Sequence, residues 1–420
     1  MLNEIRPRGA AADFRCASQT RAPKKRRFAL CSAKSVLPVI YLDNAATTYP
    51  KPQSVYRLWQ RAMSVYGANP GRSGHAFSVK TAEAVYKSRE ICAEFFGADA
   101  ENTVFTLNCT TALNFAIKGL AHRGCHFVMS DIEHNAVSRP VYAAAREFGG
   151  NVTIFETTLD DEQTVYNAER AITPHTTALV CTAASNVIGL RNPLKELAAL
   201  CKRKNICFIV DAAQGGGVFP LKLTDGINII CAAGHKGLYG PMGTGLMLTD
   251  GKYPLRTIIE GGTGSASESI VQPDFMPDRF ESGTINTAAV IALGAGVEFV
   301  KSKGTENVFN HEIRLCERFC EGAKKLGKIR LYNEITPENH SLFSPVVSFN
   351  IDGLNSVEGA DILSSHGFYM RGGLHCAPLA HKKINTIDGG TIRFSPSVFN
   401  NEKEVNLLLR TLSEITLRQK

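Results

Sequence analysis

Between residues 102 and 250 the chain repeats one pattern, in which short apolar runs alternate with stretches of helical spacing. The apolar runs are Val104-Phe105-Thr106, Phe127-Val128-Met129, Val152-Thr153-Ile154-Phe155, Ala178-Leu179-Val180-Cys181, Cys207-Phe208-Ile209-Val210 and Ile227-Asn228-Ile229-Ile230. Helix-like segments at 110–120, 135–148 and 193–204 separate several of them. Strands that alternate with helices build a mostly parallel sheet covered on both faces. The pattern therefore predicts an α/β fold, and the run Gly245-Leu246-Met247-Leu248 adds one more strand. A length of 420 residues suits such a large domain plus a smaller one.

The ordered body begins near Val39, where Ile40-Tyr41-Leu42 runs into Asp43-Asn44-Ala45-Ala46-Thr47-Thr48. Pro50 and Pro52 open a helix, and Val85, Cys92, Phe95 and Phe96 mark another over 77–96 that stops at Gly97. The texture changes after about residue 285. Helical patterns at 287–302 and 306–326 lead to a strand at 346–351, a helix at 357–366, a strand at 391–395 and a closing helix at 402–417. We expect a large domain over 38–285 and a smaller α+β domain over 286–420, with the N-terminal segment contributing to the smaller domain and the active site.

Charge narrows the partners. Residues 1–37 hold nine Lys/Arg against two Asp/Glu, so they supply nearly all of the net charge of +8. The nearly neutral body is a poor match for nucleic acid. The basic segment, with Lys24-Lys25-Arg26-Arg27, reads first as a disordered extension, second as an organelle-targeting segment and third as a nucleic-acid arm. It has no apolar core of a secretory signal. The expected location is the cytoplasm, or an organelle if the segment is a targeting signal. No apolar run approaches the roughly 20 residues of a membrane helix. None of the twelve cysteines forms a C-x-x-C pair, so no metal site is expected, and most lie in apolar runs as small core residues.

Five constellations carry chemistry. Asp211-Ala212-Ala213-Gln214 ends the strand through Val210, where ligands bind in open α/β sheets. A carboxylate there can pair with a protonated ring nitrogen, although a helix cap alone would also place Asp at this point. Gly234-His235-Lys236-Gly237 puts a lysine in a glycine-rich loop at the next strand end; partial desolvation would make its amine nucleophilic. An ordinary exposed loop lysine is the plainer alternative. Asn108-Cys109-Thr110-Thr111 is a strand end followed by a helix N-terminus, suited to phosphate or to simple capping. Arg371-Gly372-Gly373-Leu374-His375-Cys376-Ala377-Pro378 reads as a mobile loop, whose Arg371 and His375 would favour a thiolate at Cys376. Arg393, alone in the apolar strand Thr391–Ser395, needs either a substrate carboxylate or an internal ion pair.

Together these stretches resemble the fold-type I, aminotransferase class V family of pyridoxal 5'-phosphate enzymes, and within it the cysteine desulfurases of the type II, sulfur-mobilisation branch. The resemblance covers nearly all of 39–417. It includes Tyr41-Leu42-Asp43-Asn44-Ala45-Ala46-Thr47, Asn69-Pro70, Gly74-His75, Asp131-Ile132-Glu133-His134-Asn135, Ser185-Asn186-Val187-Ile188-Gly189 and Arg279-Phe280-Glu281-Ser282-Gly283-Thr284.

The resemblance implies that Lys236 binds the cofactor covalently and moves protons, that His134 stacks on its ring, and that Asp211 pairs with the ring nitrogen. It gives Gln214 and Asn186 to the ring oxygen, and Thr110, His235 and backbone at Cys109 to the phosphate. Thr284 would reach the phosphate of a neighbouring subunit, which implies a homodimer. Arg393, Asn186, His75 and Arg371 are the implied substrate contacts, with Arg393 holding the carboxylate of L-cysteine. Cys376 would accept the sulfur as a persulfide, leaving L-alanine, for use in iron–sulfur cluster or other sulfur biosynthesis. Cys109 stands where a hydroxyl residue is common, which removes one side-chain contact to phosphate. The short loop carrying Cys376 implies a dedicated sulfur-acceptor protein or an activator. The alternatives are a selenocysteine lyase or cysteine sulfinate desulfinase, another class V enzyme that does not use Cys376, and a cofactor-binding regulatory protein.

Overall fold

Buried along its whole length, Cys207–Asp211 is the middle strand of a seven-stranded sheet. The computed structural model describes residues 39–71 and 74–418, so the basic segment 1–37 lies outside the described residues. In chain order the elements up to the sheet's far edge are β1 (Ile40–Tyr41), α1 (Gln53–Val65), α2 (Ala76–Phe96), β2 (Thr103–Thr106), α3 (Cys109–Leu120), β3 (His126–Ser130), α4 (Asn135–Glu147) and β4 (Asn151–Phe155). Then follow α5 (Asp161–Ala171), β5 (Thr176–Thr182), α6 (Leu194–Lys204), β6 (Cys207–Asp211), β7 (Ile229–Ala233) and β8 (Gly245–Thr249). The sheet order is β2-β8-β7-β6-β5-β3-β4. Every pair is parallel except the two made by β8.

The alternation of side chains explains why these runs lack a polar face. Phe208 and Val210 enter one core together with Leu197 of α6 and Ile291, while Cys207 and Ile209 enter the opposite core with Leu113 of α3 and Val137 of α4. Both faces are covered, so both are apolar. β8 is antiparallel because only eleven residues separate it from β7, too few for the crossover that parallel neighbours need. That short connection, 234–244, is the loop of Lys236.

The second part comprises α7 (Thr287–Lys303), α8 (Thr305–Lys324), β9 (Ile329–Leu331), β10 (Val347–Ile351), α9 (Ser356–Ser365), β11 (Phe368–Tyr369), β12 (Arg371–Gly373), α10 (Pro378–Lys383), β13 (Thr391–Phe394) and α11 (Glu402–Arg418). Its sheet, β12-β13-β10-β9, is antiparallel throughout. β1 pairs in parallel with β11, and Ile40 and Leu42 join the core of Phe349, Phe368 and Phe394. The first described residues thus pack with the last third of the chain.

Two expectations need correction. The strand expected over 227–230 is β7 at Ile229–Ala233, because Asn228 turns its side chain to accept from the Phe208 amide at 2.8 Å before the strand begins. Gly372 and Gly373 are not a mobile loop. They pair in β12 with Ile392 and Thr391, and a Cβ on Gly372 would sit 2.2 Å from the Ser356 carbonyl oxygen, so glycine lets α9 approach closely. The helix α5 had no strong apolar period: its buried residues are only Thr164, Ala168 and Ala171.

One contact ties α8 to the loop after β7. Tyr239 holds a positive φ of 54°, its amide bonds the Lys236 carbonyl at 2.8 Å, and its hydroxyl donates to buried Glu312 at 3.1 Å. Burial pushes the Glu312 carboxyl up to about 8. A carboxyl raised in the folded state favours folding fully below its ordinary value of 4.5, and that contribution is lost as pH rises toward 8. Glu312→Gln keeps the acceptor for Tyr239 and removes the titration. Its stability relative to the parent should climb between pH 5 and 8, by at most about 1.4 kcal/mol per pH unit. Urea unfolding at pH 5, 6.5 and 8 measures this, and a constant difference would refute it.

Candidate active site

The parallel strands β3 and β5 are neighbours whose outgoing connections lead to opposite sides, from β3 outward to β4 and from β5 the other way to β6. Open α/β sheets bind ligands beyond the strand ends at such a point. A cavity of about 210 Å³ lies there, lined by Asn108, Cys109, Thr110, His134, Thr182, Asn186, Asp211, Gln214, His235 and Lys236 among others. Nine of these ten lie in motifs that the sequence singled out; Thr182 is the exception.

Each is placed by its element. Asp211 is the last residue of β6 and is 1% exposed. Its Oδ1 accepts from the Ala213 amide at 2.9 Å and from the Cys109 thiol at 3.3 Å. His134 caps α4, its Nδ1 accepting from the Ala136 amide at 3.0 Å, so in the neutral ring the proton sits on Nε2. Burial first, then the positive charges of Lys236 and Arg393, pull His134 down to about 4. Burial and Lys236 bring His235 to about 4 as well. Both rings are neutral at pH 7.

Lys236 follows β7 in a loop crowded at positions 234 and 237: a Cβ on Gly234 would lie 2.2 Å from Thr244 Oγ1, and one on Gly237 2.5 Å from the Gly216 carbonyl. The preceding peptide is clamped. The His235 carbonyl accepts from the Thr48 amide at 3.1 Å, Thr47 Oγ1 at 3.1 Å and Lys51 Nζ at 2.7 Å. Burial lowers the Lys236 amine and raises the Asp211 carboxyl; their mutual attraction opposes both shifts.

Other expected site residues stand outside this cavity. Arg393 is 2% exposed and has an internal partner, donating from Nη2 to Asp43 Oδ1 at 2.6 Å and from Nη1 to the Asn186 carbonyl at 3.1 Å, while its Nε is buried without a partner. Arg371 is exposed at the start of β12, opposite Arg393 in register. His75 caps α2, accepting from the Ser78 amide at 3.1 Å. Thr284 is exposed and accepts from Asn69 Nδ2 at 3.4 Å.

Cys376 is exposed, whereas the other nine described cysteines are buried free thiols. Its loop is held from the cavity side: Asn186 Nδ2 donates to the His375 carbonyl at 2.8 Å, and the Asn135 amide to the Cys376 carbonyl at 2.7 Å. His375 and Cys376 both take left-handed φ values, 50° and 57°, costing roughly 1–2 kcal/mol per residue. Of Arg371 and His375, the two residues expected to favour a thiolate at Cys376, His375 carries no positive charge with which to do so. Its ring is 2% exposed, neither nitrogen has a hydrogen-bond partner, and burial with nearby Arg393 drives its pKa far down, so it stays neutral.

Asp43 carried no role in the sequence reading. Its partner lies 350 residues away, and no local pattern signals a pair of that kind. Among the described residues no group of metal-ligating side chains is found, and no helix is long and apolar enough to cross a membrane.

A buried amine and a buried acid facing one cavity at the carboxyl ends of a largely parallel sheet define an enzyme site of the α/β class. The chain belongs to the aminotransferase class-V family, whose model matches residues 40–408. It is 31% identical to a probable cysteine desulfurase of Methanothermobacter thermautotrophicus, over 90% of this chain and 94% of that protein. It is 29% identical to a cysteine desulfurase of Haloferax volcanii, over 89% and 88%. The apo structure of a cysteine desulfurase from Thermococcus onnurineus superposes with a TM-score of 0.83 at 30% identity, covering 90% of this chain and 94% of that one.

Membership of this family implies pyridoxal phosphate, and the residues present fit it. Lys236 offers an amine for its aldehyde, and Asp211 a buried carboxylate for its ring nitrogen. The first turn of α3 at Cys109 and Thr110 offers amides for its phosphate. Asn186 Oδ1 and His235 Nδ1 are buried without partners in the same cavity wall. Such orphaned polar atoms are costly unless a ligand pairs with them.

Proposed function

We propose that the protein is a pyridoxal phosphate-dependent cysteine desulfurase that transfers sulfur from L-cysteine to Cys376. One observation carries the reading: the exposed Cys376 sits on a loop hydrogen-bonded to Asn186 and Asn135, beside a cavity holding the Lys236–Asp211 pair. Bound pyridoxal phosphate supplies an aldehyde for a covalent lysine bond and an electron-withdrawing ring.

The chain does the rest. Asp211 keeps the ring nitrogen protonated, and His134 covers the ring face. Gln214 and Asn186 serve the ring oxygen; Thr110, His235 and the amides of the first turn of α3 hold the phosphate. Arg393 holds the substrate carboxylate, with Asp43 fixing its guanidinium, and Arg371 and His75 complete the approach. Lys236 Nζ takes the proton from the substrate Cα. The Cys376 sulfur then attacks the substrate sulfur: an S–S bond forms, the C–S bond breaks, and Cys376–SH plus L-cysteine gives Cys376–S–SH plus L-alanine. The persulfide passes to an acceptor protein.

The active form in this reading is a cytoplasmic homodimer. Thr284 does not line its own chain's cavity, and the exposed apolar side chains of Leu107, Met242, Ile270 and Val271 are ones that a second copy would cover in this reading. The reading divides the chain into a cofactor domain and a smaller domain carrying the Cys376 loop; the sequence boundary at 285/286 leaves α7 with the smaller domain, although Ile291 and Val297 of that helix pack in the sheet's own core.

Purified protein loaded with cofactor and given L-cysteine with a thiol reductant should release alanine and sulfide in equal amounts. Faster turnover of L-selenocysteine or cysteine sulfinate, with no alanine from cysteine, would transfer the assignment to those substrates.

A further inference from the structure

Cys109 opens α3, and by sequence its neighbours point to a phosphate. Its side chain points elsewhere. The thiol is buried in the cavity wall at 3.3 Å from Asp211 Oδ1 and 3.3 Å from the Cys231 carbonyl oxygen. A thiol has one proton to give, and a carboxylate is the stronger acceptor of the two. Asp211 Oδ1 also accepts from the Ala213 amide at 2.9 Å. Two donors therefore occupy one carboxylate oxygen and leave the other to the cavity.

We propose that Cys109 is a positioning residue for the cofactor ring, its thiol holding Asp211 so that Oδ2 is presented to the ring nitrogen. The inference rests on the pyridoxal phosphate reading of the cavity. It assigns the side chain to the ring end of the ligand, while the backbone of the same residue serves the phosphate end. Burial and the Asp211 charge push the Cys109 thiol well above its ordinary value, so it remains a donor throughout the working pH range. A hydrogen bond to a carboxylate also favours its charged form. Losing the thiol therefore leaves Asp211 Oδ1 with the Ala213 amide alone, which loosens the carboxylate's orientation and raises its proton affinity.

The test uses the full chain as apo- and holoprotein, with Cys109→Ala and Cys109→Ser. Cofactor affinity is read by fluorescence titration of the apoprotein, and the Asp211–ring proton by its far-downfield proton NMR signal in the holoprotein. The alanine variant should bind cofactor about fivefold more weakly and show a shifted or broadened signal, while serine, which keeps a donor, stays within about twofold with the signal in place. Equal affinity and an unmoved signal in the alanine variant would overturn the proposal. Equal losses in the two variants, accompanied by equal losses in urea stability, would overturn it too by marking a packing role. A parent protein that binds no pyridoxal phosphate would instead remove the functional reading beneath it.

Discussion

Lys236→Ala should lower alanine production from L-cysteine by at least about 10³-fold and leave a preparation without the absorbance of lysine-bound cofactor. Two functions disappear with this side chain. The covalent bond to the aldehyde is lost, so the cofactor is retained only by contacts to its ring and phosphate and should dialyse away faster. The base that takes the substrate Cα proton is lost as well. The other bases that line the cavity have other tasks in this reading: His134 Nδ1 is occupied by the Ala136 amide, Asp211 serves the ring nitrogen and His235 the phosphate. Burial already lowers the Lys236 amine, so more of it is unprotonated near neutrality than for an exposed lysine. Lys236→Arg should fail to nearly the same extent, since a guanidinium keeps its proton. Absorbance spectra with and without L-cysteine, together with alanine assays, decide the matter. A Lys236→Ala protein with parent-like turnover would falsify the assignment.

What the sequence revealed and what it hid divide along a physical line. Strands buried on both faces announce themselves as unbroken apolar runs, and the residues that follow them land at one edge of the sheet. Asp211 ends one such strand and Lys236 lies just beyond the next, so the two are legible as neighbours in the sequence. The antiparallel direction of β8 follows from the length of one connection, but the apolar run itself does not encode it. Contacts between segments far apart leave no trace of spacing. Asp43 meets Arg393, and the Cys109 thiol turns toward Asp211 rather than a phosphate, because of packing that no single segment determines. The pair Gly372-Gly373 illustrates the reverse error. Glycine suggested freedom, whereas here it is required by the close approach of α9 to a paired strand. His375 shows the same limit for electrostatics: a histidine beside a cysteine reads as a cation until its burial is known.

Cys376→Ser should separate the two halves of the chemistry. Its holoprotein should form with unchanged absorbance, because no hydrogen bond of the thiol supports the cofactor cavity; the contacts from Asn186 and Asn135 reach backbone carbonyls at His375 and Cys376, which serine retains. Lys236 should still exchange the Cα proton of L-cysteine, so deuterium from heavy water should continue to enter the substrate. Alanine production should fall by at least about 10²-fold, since a serine hydroxyl at neutral pH is a far poorer nucleophile toward sulfur than a thiolate. The mass gain of one sulfur atom on the parent protein should vanish. Substrates with better leaving groups, L-selenocysteine and cysteine sulfinate, should lose less than about tenfold, because their cleavage depends less on an attacking thiol. Another described cysteine cannot take the place of this thiol, because the other nine are buried. Parent-like alanine production by Cys376→Ser would remove the persulfide from the mechanism. Loss of deuterium exchange would show that the residue acts earlier, on substrate binding or on the proton step at Lys236.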